Sequence, residues 1–166
     1  MLDLILLLAV GINDVSKTKR ILAVSSGGGH WVELRRLKPV FDQYETAYIT
    51  TNADSGVDVP DNRLYVVTNF TRRNYFRVIF LVPELVVILL KEKPDVIIST
   101  GAAPGLVCLA LAKMLTRART IWIDSIAARD CLSTSGREAR RFADVWLTQW
   151  PDLSGPDGPD CWGAVV

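Results

Sequence analysis

Short runs of apolar residues recur along the chain, separated by polar turns and by segments with helical spacing. Residues 21–25 and 95–99 are mostly apolar runs rich in β-branched side chains. Such runs are typical of strands that are buried on both faces of a parallel sheet. The same reasoning predicts five further strands, at residues 46–50, 64–67, 120–123, 145–148 and 162–166.

The segments between these strands are predicted to be helical. Trp31, Leu34, Leu37 and Phe41 recur near one helical face, and Pro39 indicates that this helix ends nearby. Strands and helices that alternate in this way predict an α/β fold with a Rossmann-like, doubly wound parallel sheet. The further helices are predicted at residues 74–91, 104–115 and 138–142.

Three polar turns directly follow predicted strands, at residues 25–30, 99–105 and 124–129. The carboxyl ends of parallel strands meet at one edge of the sheet, and doubly wound sheets bind their ligands there. We therefore expect the three turns to gather around one ligand site.

The first of these turns is rich in glycine. Glycines let the backbone approach a ligand closely, and the free N–H groups of a helix start favour an anion such as phosphate. A Walker loop needs Lys and then Ser or Thr after the last glycine, whereas His30 and Trp31 follow here. A dinucleotide loop is disfavoured because Val32 occupies the third glycine position and residues 50–52 lack the usual acid. A plain strand-to-helix turn is the alternative to a phosphate site formed by Ser26, Gly27, Gly28 and Gly29.

Candidate catalytic groups lie at the same turns. His30 follows the glycines, and its imidazole can act as a general base when neutral or hold a phosphate when charged; the alternative is a capping or buried histidine. Glu33, one turn later, can orient His30 or take part in helix capping. Asp124 ends a strand and can act as a base, with a helix cap or a solvated carboxylate as the alternative. Further ligand-binding groups are predicted at Ser99, Thr100, Gly101 and Ser125.

The composition narrows the class of protein. The chain has 166 residues, of which 49% are apolar, and this fits one folded domain. A net charge of +1 gives no support for nucleic-acid binding. Three cysteines without a CxxC motif and a single histidine argue against a disulfide scaffold and against a zinc or multi-histidine metal site. No cofactor is expected.

The N-terminus carries an apolar segment at residues 1–12. It is shorter than the roughly 20 residues that a membrane-spanning helix needs. Lys17, Lys19 and Arg20 follow it. Two interpretations are open, a packed N-terminal helix and a shallow membrane anchor.

A second apolar segment, residues 78–90, is preceded by Arg72, Arg73 and Arg77. Cations beside an apolar segment favour anionic lipid headgroups. Pro83 and the shortness of the run argue against a spanning helix. We expect one face to pack on the sheet and the arginine-rich end to contact a membrane surface.

Several of these segments together resemble a known family. SSGGGH with Glu33, RRN at residues 72–74, KPDVIISTGAAPG, LSTSG and RRFADVWLTQWPDL occur in the order seen in PssD-type polysaccharide-biosynthesis proteins of bacteria. These are similar to the membrane-anchoring subunit of the eukaryotic two-subunit transferase that adds the second N-acetylglucosamine to dolichol pyrophosphate. Both correspond to the N-terminal half of MurG-like GT-B glycosyltransferases. The resemblance covers nearly the whole chain after Lys19.

The resemblance implies a division of labour within a GT-B hexosyltransferase. This chain would bind the acceptor, a sugar on polyprenyl pyrophosphate, at the cytoplasmic face of the membrane. A separate PssE-type subunit would bind the UDP-sugar, so the chain would be inactive alone. By motif position, His30 and Glu33 match the family's glycine-loop residues, Asp124 and Ser125 its acidic–Ser pair, and residues 149–150 its QW pair.

The chain also departs from the family pattern. The usual acid is Glu, where this chain has Asp124. The family has an aromatic residue and then Ala-Arg after the acidic–Ser pair. Here Ile126, Ala127 and Ala128 come first, and Arg129 is displaced.

We expect three regions: an apolar N-terminal segment at residues 1–20, a Rossmann-like acceptor-side domain at residues 21–153, and a tail for partner docking at residues 154–166. Two other functions are open. A self-sufficient nucleotide-binding enzyme, such as a small oxidoreductase, would bind NAD(P) tightly. A non-catalytic membrane adaptor would keep its partnered activity in His30→Ala and Asp124→Ala variants.

Overall fold

A computed structural model describes residues 19–70 and 72–165 of the chain. Its centre is a seven-stranded sheet in the order β3-β2-β1-β4-β5-β6-β7, and every neighbouring pair of strands is parallel. This confirms the predicted doubly wound sheet. The strands are β1 Arg20–Ser25, β2 Glu45–Thr50, β3 Arg63–Val66, β4 Val96–Gly101, β5 Arg119–Ile123, β6 Val145–Thr148 and β7 Asp160–Cys161.

Helices cover both faces of this sheet. The α-helices of the described residues are α1 Gly29–Arg36, α2 Lys38–Phe41, α3 Val78–Glu92, α4 Ala103–Leu115 and α5 Thr134–Ala139. Short 3₁₀ helices lie at Ala53–Asp58, Arg72–Arg77 and Pro151–Leu153.

Two separate hydrophobic cores hold these layers together. On one face of the sheet, Trp31, Leu34 and Phe41 of the first two helices pack with Tyr48 and strand residues. On the other face, side chains of α3, α4 and α5 pack against alternate residues of the same strands, including Trp122. Strands covered on both faces are largely apolar, with a few buried hydroxyl residues such as Thr46 and Thr120, which is why their sequences read as mostly apolar runs.

The strand order reverses between β1 and β4, because β2 and β3 lie on one side of β1 and β4 to β7 on the other. The two central strands pair in register from Ile21 with Val96 to Val24 with Ser99, and the register then shifts so that Ser25 pairs with Gly101. A reversal of this kind leaves a crevice beyond the carboxyl ends of the two strands. The first two polar turns begin at this crevice.

The first helix, α1, ends at Arg36, near Pro39 as predicted, and Pro39 itself lies in the first turn of α2, where a proline is tolerated. Two other helix boundaries are wrong. The predicted helix at residues 74–91 is a 3₁₀ segment followed by α3, since Asn74 has a non-helical backbone. The last predicted helix begins earlier, at Thr134, where the side chain of Ser133 accepts a hydrogen bond from Gly136 N.

The C-terminal segment also differs from its prediction. The last strand is β7, Asp160–Cys161, and residues 162–165 pair with no strand. Val165 is nevertheless buried in the first core. Partner docking by residues 154–166 stays a prediction.

Residues 1–18 of the predicted N-terminal segment, residues 1–20, lie outside the described residues. Within the described part of the chain, no helix is both long enough and apolar enough to cross a membrane.

Candidate functional site

His30 lies in the first turn of α1, at the crevice between β1 and β4. Its Nδ1–H donates a 2.9 Å hydrogen bond to the backbone carbonyl of Thr100, which can only accept. In return, the Thr100 hydroxyl donates to the backbone carbonyl of His30. The bond at Nδ1 selects one neutral tautomer, so the lone pair of Nε2 is left for a ligand.

Gly101 supplies the space for the imidazole ring. A Cβ built on Gly101 would lie 2.8 Å from His30 Nδ1 and 2.9 Å from Cε1. The backbone φ of Gly101 is +115°, a conformation that other residues rarely adopt. The second polar turn therefore positions His30, although Gly101 was predicted as a ligand-binding residue.

The predicted phosphate loop is partly occupied by the protein itself. The N–H of Ser26 donates to the Gly101 carbonyl, and the N–H of Gly27 donates to the Thr51 hydroxyl. Gly28 and Gly29 are exposed, and the structure records no hydrogen-bond partner for their N–H groups within residues 19–70 and 72–165. Only the last part of the loop is open to an anion.

Ser99 and Thr100 are buried in the second turn. The Ser99 hydroxyl accepts from Gly101 N, and Gly105 packs so closely on it that a Cβ there would overlap the oxygen. The Ser99 hydroxyl bonds within the turn, the Thr100 hydroxyl bonds to the backbone of His30, and neither residue lines a cavity described below.

Glu33 is only 4% exposed and reaches the third turn. Its Oε1 accepts from the Ser125 hydroxyl at 2.9 Å and from Ile126 N at 3.0 Å. The structure records no bond from Glu33 to His30 within the described residues. Glu33 therefore ties α1 to the turn after β5, which differs from both of its predicted structural roles.

Asp124 is 1% exposed, and both oxygens of its carboxylate accept hydrogen bonds. Its carboxylate accepts from Ser133 N, from the Ser133 hydroxyl and, at 3.3 Å, from Trp122 Nε1. Gly136 of α5 leaves room for it, since a Cβ there would overlap the carboxylate. Asp124 thus binds Ser133, the N-cap residue of α5, and does not cap the helix itself; its role as a base stays a prediction.

The Gln-Trp pair braces the same turn from the other side. Gln149 is buried; its Nε2 donates to the Asp124 carbonyl, and its Oε1 accepts from Val165 N. Trp150 Nε1 donates to the Ile126 carbonyl at 2.8 Å. The third turn is thus held by Glu33 on one side and by residues 149–150 on the other.

Two cavities open on either side of His30, and both include it in their lining. The first, here called the arginine cavity, has a volume of about 450 Å³. The second, the amide cavity, has a volume of about 610 Å³. The arginine cavity is lined by His30, Ser125, Arg129, Asp130, Ser133 and Arg137 among others, and the amide cavity by Ser26, Gly27, His30, Thr51, Asn52 and Asn69 among others.

Sequence reasoning missed several of these lining residues. Thr51, Asn52 and Asn69 follow β2 and β3, so the rule that ligands bind at carboxyl ends was a signal for them. Phe70 lies in the same loop as Asn69, whereas Arg137 lies on a short helix without such a signal.

The predicted membrane-contact segment exposes apolar side chains. Ile79, Phe80, Val87 and Leu90 of α3 are exposed, and at about 100° per residue they fall within one arc of about 100°. Arg77 is exposed at the start of α3. For Arg72 and Arg73 the structure gives the backbone alone, so their predicted contacts lie outside the described side chains. Tyr75 and Phe76 of the preceding 3₁₀ segment extend this exposed surface, here called the apolar face.

Residues 67–157, more than half of the chain, match the family described as "Oligosaccharide biosynthesis protein Alg14 like". The chain belongs to this family. The match runs from the end of β3 past β6 and includes the second and third turns, but not the glycine loop. It confirms the family resemblance that the sequence motifs indicated.

A curated relative agrees with this assignment. The UDP-N-acetylglucosamine transferase subunit ALG14 of Eremothecium gossypii is 36% identical over 66 residues, covering 37% of this chain and 30% of the relative. The matched part of the Alg14-like chain thus spans less than a third of that relative's length.

Solved structures show the same fold. The chain superposes on MurG of Acinetobacter baumannii with a TM-score of 0.71 at 12% identity, covering 88% of this chain and 45% of MurG. A UDP-N-acetylglucosamine 2-epimerase gives a TM-score of 0.68 at 8% identity, covering 89% of this chain and 49% of the epimerase. Identities this low show the fold alone, and the chain spans about half the length of either protein.

Proposed function

We propose that this Alg14-like chain is the acceptor-binding, membrane-associating part of a two-subunit glycosyltransferase. The acceptor is a sugar on a polyprenyl pyrophosphate, and the donor is a UDP-sugar held by a PssE-type subunit. The family assignment, the name of the ALG14 relative and the MurG-like fold support this proposal.

One observation carries the proposal: His30 stands at the strand-order reversal between two cavities, with Nδ1 bonded to Thr100 and Nε2 left for a ligand. A histidine that only capped a helix or filled the core would not line two cavities. The held tautomer is the one that can remove a proton from a hydroxyl group.

The proposed reaction uses this lone pair. The acceptor hydroxyl attacks the anomeric carbon of the UDP-sugar, and its proton moves to His30 Nε2. The bond between the anomeric carbon and the phosphate oxygen breaks, and UDP leaves with the electron pair. Glu33 and Asp124 act here as positioning residues, because their carboxylates hold the third turn beside His30.

Membrane association is proposed for the apolar face. Exposed aromatic and aliphatic side chains beside Arg77 suit the boundary between headgroups and acyl chains. A peripheral position at the cytoplasmic face would bring the crevice to a lipid-linked acceptor.

The test is sugar transfer by the chain together with a PssE-type subunit, using UDP-N-acetylglucosamine and a short-chain prenyl-pyrophosphate N-acetylglucosamine. We expect His30→Ala to lower kcat by a factor of about 10² to 10⁴, the usual contribution of general acid–base catalysis, with a smaller change in KM. The control is Asn69→Ala, a change in the amide cavity wall that should alter KM more than kcat.

Full kcat in His30→Ala would refute catalysis by His30 and favour the membrane adaptor. Calorimetry with the chain alone addresses the oxidoreductase alternative. Tight binding of NAD(P), with no binding of the lipid pyrophosphate, would replace the proposal by a self-sufficient nucleotide enzyme.

A further inference from the structure

The arginine cavity holds two cations without carboxylate partners. Arg129 and Arg137 both line it, and within residues 19–70 and 72–165 the structure records no ion pair for either. By contrast, Arg20, Arg35, Arg63 and Arg141 each form an ion pair. Asp130 also lines the cavity, so the side chains give it an excess of one positive charge when His30 is neutral.

The amide cavity has the opposite character. Apart from His30, its lining carries no ionisable side chain and presents hydroxyl, amide and backbone groups. Such groups suit the uncharged hydroxyls of a sugar, whereas guanidinium groups suit phosphate oxygens. The two sides of His30 are therefore chemically distinct.

The turn that carries Arg129 is held in place before any ligand arrives. Glu33 accepts from Ile126 N, and Trp150 Nε1 donates to the Ile126 carbonyl, so both backbone groups of this residue are fixed. The Arg129 guanidinium lies over the Trp150 ring, 5.7 Å from its centroid. A guanidinium restrained in this way loses less entropy when it binds an anion.

We propose that the arginine cavity is a diphosphate site, in which Arg129 and Arg137 bind the phosphate oxygens beside His30. This inference rests on the proposed function and moves the main anion contact away from the glycine loop, whose first N–H groups are already bonded. The diphosphate can belong to the lipid-linked acceptor or to the nucleotide donor, and both have the same chemistry.

The experiment is calorimetry of the full chain with inorganic pyrophosphate, with prenyl-pyrophosphate N-acetylglucosamine and with UDP-N-acetylglucosamine. Arg129→Gln and Arg137→Gln are compared with the wild type. The matched control is Arg140→Gln, because Arg140 is also exposed and lies over a tryptophan ring, 5.9 Å from the centroid of Trp146, but does not line the cavity.

We expect each cavity variant to weaken pyrophosphate binding about tenfold, the double variant about a hundredfold, and the control less than twofold. Where pyrophosphate binding is weakened, an accompanying loss for the prenyl compound but not for the UDP-sugar assigns the site to the acceptor, and the reverse pattern assigns it to the donor. Both results support a diphosphate site. Wild-type pyrophosphate binding in the double variant, an equal loss in the control, or no diphosphate binding by the wild type overturns it.

Failure of this inference is distinguishable from failure of the proposed function. Normal pyrophosphate binding by the double variant, together with sugar transfer that depends on His30, would reject the diphosphate site alone. Arginine-dependent pyrophosphate binding without any sugar transfer in the presence of a PssE-type subunit would reject the proposed function.

Discussion

Gly101 determines where the imidazole of His30 can lie. A methyl group at this position would meet the ring at 2.8–2.9 Å and would stand on a backbone with φ of +115°. Strain of this kind costs about 1–3 kcal/mol. We expect Gly101→Ala to lower the free energy of unfolding by about that amount. The variant should also transfer sugar more slowly, because the His30 ring must move away from the Thr100 carbonyl.

Urea denaturation and transfer assays of the variant check this prediction. The control is Gly155→Ala, at an exposed position where a Cβ would meet nothing within 4 Å. Unchanged transfer by folded Gly101→Ala would show that the position of the ring does not matter to the reaction.

Sequence reasoning predicted where the turns meet but not which side chains bond to each other. The turns were expected to gather, because each follows a predicted strand of a parallel sheet and the carboxyl ends of such strands lie at one edge. The bond from Ser125 to Glu33 joins residues 92 positions apart, and it depends on the angle at which α1 crosses the sheet. No local pattern specifies such an angle, so Glu33 was expected to act within its own helix.

At the scale of elements, α3 packs one face on the sheet and exposes the other. Leu81, Leu85 and Leu89 are buried against the sheet, whereas Ile79 and Phe80 point away from it and are 64% and 56% exposed. We expect an Ile79→Ser and Phe80→Ser double variant to bind vesicles containing phosphatidylglycerol at least tenfold more weakly, since each apolar side chain contributes about 1.5–3 kcal/mol when it is buried in lipid. Vesicle sedimentation measures this.

The control for this prediction is a Val57→Ser and Met114→Ser double variant, which removes exposed apolar side chains outside the apolar face. Both pairs of changes are at exposed positions, so unfolding free energies should shift by no more than about 0.5 kcal/mol per change. Equal loss of vesicle binding in the two double variants would mean that the apolar face is not a specific docking surface.

The strands from β1 to β6 were predicted well, whereas the start of α5 and the last strand were not. β1, β4 and α4 agree with prediction to within two residues, because continuous burial leaves a clear pattern. The start of α5 is set by the cap at Ser133 and by the fixed carboxylate of Asp124, and β7 has only two residues. Their positions follow from tertiary contacts that hydrophobic spacing does not reveal.

At the scale of the whole molecule, alternation of strands and helices predicted a doubly wound sheet, and the sheet in turn predicted where the site lies. The order of the strands was not predictable in this way, because alternation is compatible with several orders. Placing β1 and β4 side by side brings residues 25–30 and 99–105 together at the crevice. The amide cavity, which is lined by residues of both turns, follows from that order.

The stability of the whole fold should also depend on two carboxylates that join elements across the molecule. The pKa of Asp58 is below its usual value, first because Trp31 donates a hydrogen bond to its carboxylate. Burial alone would raise this pKa, but a hydrogen bond and an ion pair with Arg35 lower it further. For Asp144, burial alone would raise the pKa, but hydrogen bonds from Lys113 and Thr120 outweigh it and lower the pKa. These contacts tie α1 to the 3₁₀ helix after β2, and α4 and β5 to the start of β6.

A pKa that is lower in the folded chain than in the unfolded chain means that the unfolded chain takes up protons first as the pH falls. The stability from both groups is therefore fully present above the ordinary carboxyl pKa of about 4 and is lost below it.

We expect the wild type to lose unfolding free energy steeply between about pH 5 and pH 3. An Asp58→Asn and Asp144→Asn double variant should be less stable than the wild type at pH 7 but should lose less unfolding free energy over that interval. Urea denaturation at each pH measures both slopes, with Asp157→Asn as the control, because Asp157 is exposed and has no recorded partner within the described residues. Parallel pH profiles for wild type and double variant would show that these two contacts do not link the stability of the fold to protonation.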